Sequence, residues 1–272
     1  MEQNAKQEIL EEAGDLDSES LDIVQEIADA TTADANDNAN HGSSSVNDGA
    51  EKQSKRVSPG RLKTKGSVVI HTRSAHDLFY GRRGDKESGI NQIVGLTLFA
   101  TNANNLTMLC QRDDPYAEAV LIKIENLFDD FEKDLKNKVK HLQELLDGME
   151  GMVIDFHESE DPITIPLEFG TPYGYIAVRC LSQYDKLVTL AYSAKQIGLL
   201  VQSDWHRYVV KTRTKLRHIF HVSTRYRFGG ATRDDIAANN AAARSVIEKY
   251  GDLAEEILMK DQRARFVSHE SA

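Results

Sequence analysis

One stretch of this chain leaves little freedom to the rest. Asp113 or Asp114 can cap a helix, and Pro115 suits the first helical position because no amide donor is needed there. Leu121, Phe128, Leu135 and Leu142 then recur every seven residues, with Ile124, Phe131, Val139 and Leu145 between them, and Gly148 and Gly151 supply the stop. The spacing predicts a helix over 115–147, about 50 Å long at ~1.5 Å per residue. Water does not tolerate an apolar stripe of that length, so the helix must pack along another helix or along a dimer mate.

Ahead of it the period changes to two. Even positions 62–72 read Leu62, Thr64, Gly66, Val68, Ile70 and Thr72, while odd positions read Lys63, Lys65, Ser67, Val69, His71 and Arg73. A strand over 66–73 follows, one face apolar and the other cationic and polar. Ser74 and Asp77 open a helical turn to Tyr80. Gly81 to Gly89 is a charged loop, and Ser88 caps a helix through Ile93, Leu96 and Phe99 to about Cys110. Residues 152–156 and 163–169 read as a β-hairpin, with Pro166 confining the second strand to an edge. Helices are expected over 173–181, 182–197 and 203–226. After Gly229–Gly230, Thr232 and Asp235 have capping-box spacing before a helix to Tyr250, with a short one over 254–259. The class is α+β, mostly α-helical.

Composition matters through its distribution. The 272 residues hold 33 Lys+Arg and 43 Asp+Glu, a net charge of −10. Residues 1–51 contain fourteen acids and one base, Lys6, so the remainder sums to +3. Residues 52–73 carry seven cations and residues 205–233 eight, with no acid in either stretch. Residues 1–60 have too little apolar surface to offset ordering entropy and read as a disordered acidic arm; Leu16, Leu21, Val24, Ile27 and Ala28 have the spacing of a short amphipathic helix within it. Three regions result: the arm 1–60, a strand-bearing basic region 61–112 and a helical body 113–272. No apolar run is long enough to span a bilayer, and the acidic start is unlike a signal peptide, so a cytoplasmic protein without a membrane partner is expected. Cys110 and Cys180 stand alone in apolar stretches and read as buried thiols.

Sequence signatures of catalysis are missing: no GxSxG, no phosphate-binding loop, no HExxH. The Arg, His and Tyr run at 217–227 superficially resembles the sets of DNA strand-transfer enzymes, but neighbours along one helix do not surround a scissile phosphate. Asp234 and Asp235 suit a helix N-terminus. No enzyme, metal or cofactor is expected.

The cationic strand face carries the functional argument. Lys and Arg neutralise phosphates or read guanine edges in a major groove, and Ser or His can donate to bases. An edge strand also has unpaired main-chain groups, for which a second copy of itself is the economical partner. The opposing reading, an apolar face on the chain's own core and a merely solvated polar face, stays open. On the second basic stretch, Arg207, Lys211, Lys215 and His218 share a helix face beside Arg213 and Arg217, which suits a solvated surface, backbone phosphates or the acidic arm.

Four segments carry a family resemblance: AspAspProTyrAla at 113–117, ProLeuGluPheGlyThrProTyrGlyTyrIleAla at 166–177, ArgTyrArgPheGlyGlyAlaThrArgAspAspIleAlaAlaAsnAsn at 225–240 and ArgAlaArgPhe at 263–266. Over about 61–266 the chain resembles integrating conjugative element proteins and, among conjugative plasmids, the AcaB family of transcriptional activators of the IncC group. The resemblance implies a ribbon-helix-helix contact in which strands paired across a dimer lie in the major groove, with Lys63, Lys65, Ser67, His71 and Arg73 facing DNA. The sequence departs from a compact module of that kind in two ways: the helix after the strand is short, and a nine-residue charged loop separates it from the next.

The expectation is therefore a homodimeric, sequence-specific activator of conjugation genes that binds promoter DNA. Arg56 and Arg61 reach adjacent phosphates, Arg207, Lys211 and Lys215 add secondary ones, and the helical body meets RNA polymerase. The arm competes with DNA for the basic ribbon. The alternative is a non-catalytic component of the conjugation apparatus acting through the long helix.

Overall fold

A computed structural model describes residues 66–84, 89–149, 159 and 161–268. In chain order these form β1 (Gly66–Ile70), α1 (Arg73–Tyr80), α2 (Leu96–Gln111), α3 (Pro115–Asp147), β2 (Ile163–Leu167), α4 (Pro172–Gln196), α5 (Gln202–Trp205), a π-helical turn His206–Val210, α6 (Lys211–Val222), α7 (Arg233–Ala237), α8 (Ala241–Tyr250) and α9 (Glu255–Leu258). All of these elements belong to one compact unit. The acidic arm, its amphipathic stretch and the expected strand 152–156 lie outside the described residues.

The long helix starts and ends where the sequence puts it. The Asp114 carboxylate accepts the Tyr116 and Ala117 amides at 3.0 and 3.1 Å, Pro115 follows, and 33 helical residues run to Gly148. Leu121, Ile124, Phe128, Phe131, Leu135 and Leu142 are all buried, against α4, α2 and α6. The stripe is thus covered within the chain, and neither a dimer mate nor a transfer protein has a free apolar seam on α3 to occupy. Each such buried side chain contributes roughly 1.5–3 kcal/mol of transfer free energy. α4 runs unbroken where two helices, 173–181 and 182–197, were expected. Ser182 faces solvent and caps nothing, so the helix passes through it while Leu181 and Tyr184 stay in the core.

The sheet bears on two expectations. β1 pairs antiparallel with β2, in register Gly66↔Leu167, Ser67↔Pro166, Val68↔Ile165, Val69↔Thr164 and Ile70↔Ile163. The second expected hairpin strand therefore exists, but among the described residues its partner is β1, some hundred positions away. The need of β1 for a partner strand, the reason for expecting an intermolecular ribbon, is met on this edge within one chain. Val68, Ile70, Ile165 and Leu167 close onto the core, and Ser67 and Val69 face outward, as the alternation requires. The strand itself stops at Ile70 rather than at Arg73.

Elsewhere, packing overrides local signals. α2 begins at Leu96, because Arg82 and Ile93 exchange main-chain hydrogen bonds of 2.9 and 2.8 Å that hold 93 extended. Gly95 then passes so close to the end of α1 that a Cβ there would sit 2.4 Å from the Gly81 nitrogen. The expected 203–226 helix is interrupted by the π turn and ends at Val222. The Thr232–Asp235 capping box forms, but α7 lasts only to Ala237; Asn239 takes a left-handed φ of 47° and Asn240 caps α8 afresh. Core residues come both from the 61–112 stretch and from the body after 113.

Candidate nucleic-acid interface

The corner between β1 and α1 is fixed by one buried carboxylate. Asp185, on α4, accepts the His71 amide at 2.7 Å, the Thr72 amide at 2.9 Å and the Thr72 hydroxyl at 2.5 Å. The same hydroxyl accepts the Ala75 amide and so caps α1. Arg73, the first helical residue, is exposed. Next to it, the Ser74 hydroxyl meets that of Tyr184 at 2.7 Å.

Pro166 reveals which main-chain groups of β1 remain available. It has no amide hydrogen, so Ser67↔Pro166 is a non-hydrogen-bonded pair, and by alternation so is Val69↔Thr164. The amides and carbonyls of Ser67 and Val69 therefore point away from β2. The His71 amide, of the same parity, points the same way and meets Asp185, so α4 flanks that edge. An open cleft of about 530 Å³ lies there, lined by Ser67, Val69, His71, Gln143, Ser182 and Lys186 among others.

Of the residues predicted to touch DNA, Ser67 and Arg73 are exposed. His71 is half-buried, its main chain is held by Asp185, and its Nδ1 is buried without a hydrogen-bond partner. Arg56, Arg61, Lys63 and Lys65 lie outside the described residues. The second basic stretch is partly neutralised by acids distant in sequence or outside the run. Arg207 pairs with Asp204 at 3.0 Å and lies over the Tyr208 ring. Lys215 reaches Asp134 on α3 at 3.2 Å, and Asp134 also holds Lys138 at 2.9 Å. Burial pushes the Asp134 carboxyl up, but the two lysines outweigh it and hold it below the usual carboxylate range. Lys211 is half-buried.

The four segments that carry the family resemblance converge far from one another in sequence. Tyr226 donates to Asp114 at 2.7 Å. Arg233 pairs with Asp113 at 2.7 Å and with Glu118 at 2.5 Å, and also donates to the Ile257 carbonyl. Arg263 and the Ala264 amide complete Glu118 at 3.2 and 3.1 Å. Seven residues along, Glu125 accepts from Tyr173 at 2.6 Å and from the Arg265 amide and Nε at 2.8 and 3.1 Å. Glu118, Glu125 and Asp185 escaped the sequence reading. For the first two a signal was present: with Glu132, which pairs with Arg179 at 2.5 Å, they recur at the seven-residue period of the apolar stripe.

This network is structural. Burial, and the hydrogen bond it gives to Asp114, push the Tyr226 hydroxyl far above the ordinary phenol range. Burial likewise raises the Asp114 carboxyl despite the Tyr226 hydroxyl and two helix amides. Cys110 and Cys180 are buried thiols, raised mainly by burial. Among the described residues no helix is long and apolar enough to cross a membrane.

A family model described as transcriptional regulator AcaB matches residues 58–269, a range that contains β1 and all four converging segments. Among solved structures, selenomethionine-containing AcaB from uropathogenic E. coli is similar at 14% identity, covering 76% of this chain and 100% of its own, with a TM-score of 0.46. No curated protein matches.

Proposed function

The chain belongs to the AcaB family of transcriptional regulators, and from that premise we propose that it is a sequence-specific, homodimeric DNA-binding activator of conjugative-transfer genes in the bacterial cytoplasm, without catalysis. The observation that carries the reading is the agreement of parity and charge at β1. The outward-facing positions Ser67 and Val69 continue, at the same parity, into the acid-free segment that bears Lys65, Lys63 and Arg61.

In this reading the interface comprises Lys63, Lys65, Ser67, His71 and Arg73, with Arg56 and Arg61 on adjacent phosphates. Strands from two copies pair to form the ribbon. Arg207, Lys211 and Lys215 are secondary phosphate contacts, weakened by the pairing of Arg207 with Asp204 and of Lys215 with Asp134. The solvent faces of the helical body meet RNA polymerase. Residues 1–60 act as a separate acidic arm, 61–112 as the DNA-binding region and 113–272 as the body.

The test is an electrophoretic shift series on promoter duplexes across salt concentrations. Arg73→Ala and Lys65→Ala, as lost base contacts, are each expected to cost about 1–3 kcal/mol on the preferred site, whereas a lost phosphate contact would instead reduce the salt slope by about one. If both variants bind as the parent does, this strand is not the reader.

A further inference from the structure

The second basic stretch separates into two flanks once it is folded. Successive residues of a helix are about 100° apart, so Arg213 stands roughly 200° round from Lys211, and Arg217 the same from Lys215. Lys215 faces α3, where Asp134 holds it at 3.2 Å. Arg213 and Arg217, one turn apart, therefore share the other flank, with the buried Thr212, Leu216, Ile219 and Phe220 between the two.

That other flank is where α6 meets the β1–α1 corner. α1 packs against α6 as well as against α4. The buried Tyr184 of α4 ties the three together: its hydroxyl meets that of Ser74, in the first turn of α1, at 2.7 Å and the Val209 carbonyl, one turn before Arg213, at 3.4 Å. Burial raises the Tyr184 hydroxyl above the usual phenol range, while the Ser74 hydroxyl and the charges of Arg213 and Arg217 pull it back, so the field of both guanidiniums reaches this oxygen. Arg73, beside Ser74, is exposed, and Arg213 and Arg217 are half-buried. Two basic stretches far apart in sequence thus meet at one corner. Of the acids there and on α1, Asp185 has both oxygens on His71 and Thr72, and Asp77 stands 3.7 Å from His76.

A partly buried charge is screened by salt less than an exposed one, and a guanidinium can hold a phosphate through two parallel hydrogen bonds. We infer that Arg213 and Arg217 bind the phosphate backbone of the same duplex that Arg73 touches, forming with it one interface across the corner between α1 and α6. The backbone leaves the corner over this flank of α6, and Lys211 and Lys215, on the far flank, contribute less. The inference rests on the DNA-reading proposal above and moves its secondary phosphate contacts from one flank of the helix to the other.

The experiment measures duplex binding by the full-length protein across salt concentrations. Arg213→Gln and Arg217→Gln should each reduce the salt slope by about one, and the two together by about two, with the order of preference among sequences unchanged. Arg213→Lys and Arg217→Lys keep the charge and should keep most of the parent's slope. The double variant Lys211→Gln, Lys215→Gln should lower it by less than the arginine pair does. An unchanged slope in the Arg→Gln variants overturns the inference, as does an equal loss in the Arg→Lys variants, which marks a packing role. A larger loss from Lys211 and Lys215 than from the two arginines overturns it as well. Should circular dichroism show the double Arg→Gln variant unfolded, the single variants decide by the same slopes. A parent that binds no duplex, or binds with no salt dependence, instead defeats the DNA-reading proposal itself.

Discussion

Replacing Arg233 with methionine removes the cation that three distant segments share. Arg233 is 7% exposed and bonds Asp113, Glu118 and the Ile257 carbonyl; Glu118 is wholly buried. Methionine fills much of the volume but takes the guanidinium from the buried Glu118 carboxylate and from the Ile257 carbonyl. Stranding one partner of a buried pair costs about 3–5 kcal/mol. That is a large share of the ~5–15 kcal/mol that keeps a domain folded. At ~2–4 °C per kcal/mol for a domain of this size, Tm should fall by roughly 6–20 °C. Urea denaturation followed by far-UV circular dichroism measures the free energy directly. The double variant Arg233→Met, Glu118→Leu should recover part of the loss, since a buried ion pair replaced as a unit is often neutral, though the Ala264 amide then lacks its acceptor at about 1–3 kcal/mol.

The pH dependence sharpens the test. In the parent, burial raises the Glu118 carboxyl but Arg233, the Ala264 amide and Arg263 outweigh it, so it titrates below its ordinary 4.5. Its contribution is therefore complete above that value and lost as pH falls through the lower folded pKa. In Arg233→Met the main group that lowers this carboxyl is gone, so its folded pKa should lie above the parent's. The variant's deficit should then shrink as pH falls from the variant's higher folded pKa through the parent's lower one. A loss under 1 kcal/mol, or a deficit that does not shrink on acidification, would refute this account of the network.

Three further outcomes follow from other sites. Tyr226→Phe leaves the buried Asp114 carboxylate without its hydroxyl donor and should cost about 1–3 kcal/mol in the same denaturation assay, with duplex binding by the folded protein unchanged. Gly95→Ala puts a methyl 2.4 Å from main-chain atoms of Tyr80 and Gly81, neither of which can rotate away, so a loss of about 1–3 kcal/mol or more is expected in thermal melts, and wild-type stability would contradict the close approach. Removing residues 1–51 takes away a net charge of −13 and should tighten non-specific duplex binding at low salt, an effect that fades as ionic strength rises; unchanged affinity in a titration would end any role for the arm there.

Local chemistry made much of this chain legible. A helix cap followed by proline and a sustained seven-residue period specify a helix from Asp114 to Gly148, because each signal is contained in a few adjacent residues. The alternation at 66–70 specifies its inward and outward faces for the same reason, and the capping box at Thr232 is as local as a signal can be. What the sequence could not supply was the partner of each surface. That β1 lies beside β2, that α4 covers α3, and that Asp185 closes the β1–α1 corner are all pairings between residues tens to more than a hundred positions apart, set by which apolar faces can be buried together.

The same division holds for charge. The sequence by itself determined where charge resides along the chain, an acidic arm, a basic strand segment and a basic helix, because formal charge belongs to residue type alone. Only the tertiary structure decided which charges remain available. Asp134 neutralises Lys215 from 81 residues away, and the Glu118–Arg233 pair is withdrawn into the core, whereas Arg73 is left in water. A charge acts on a partner through distance and burial, and both are properties of the fold.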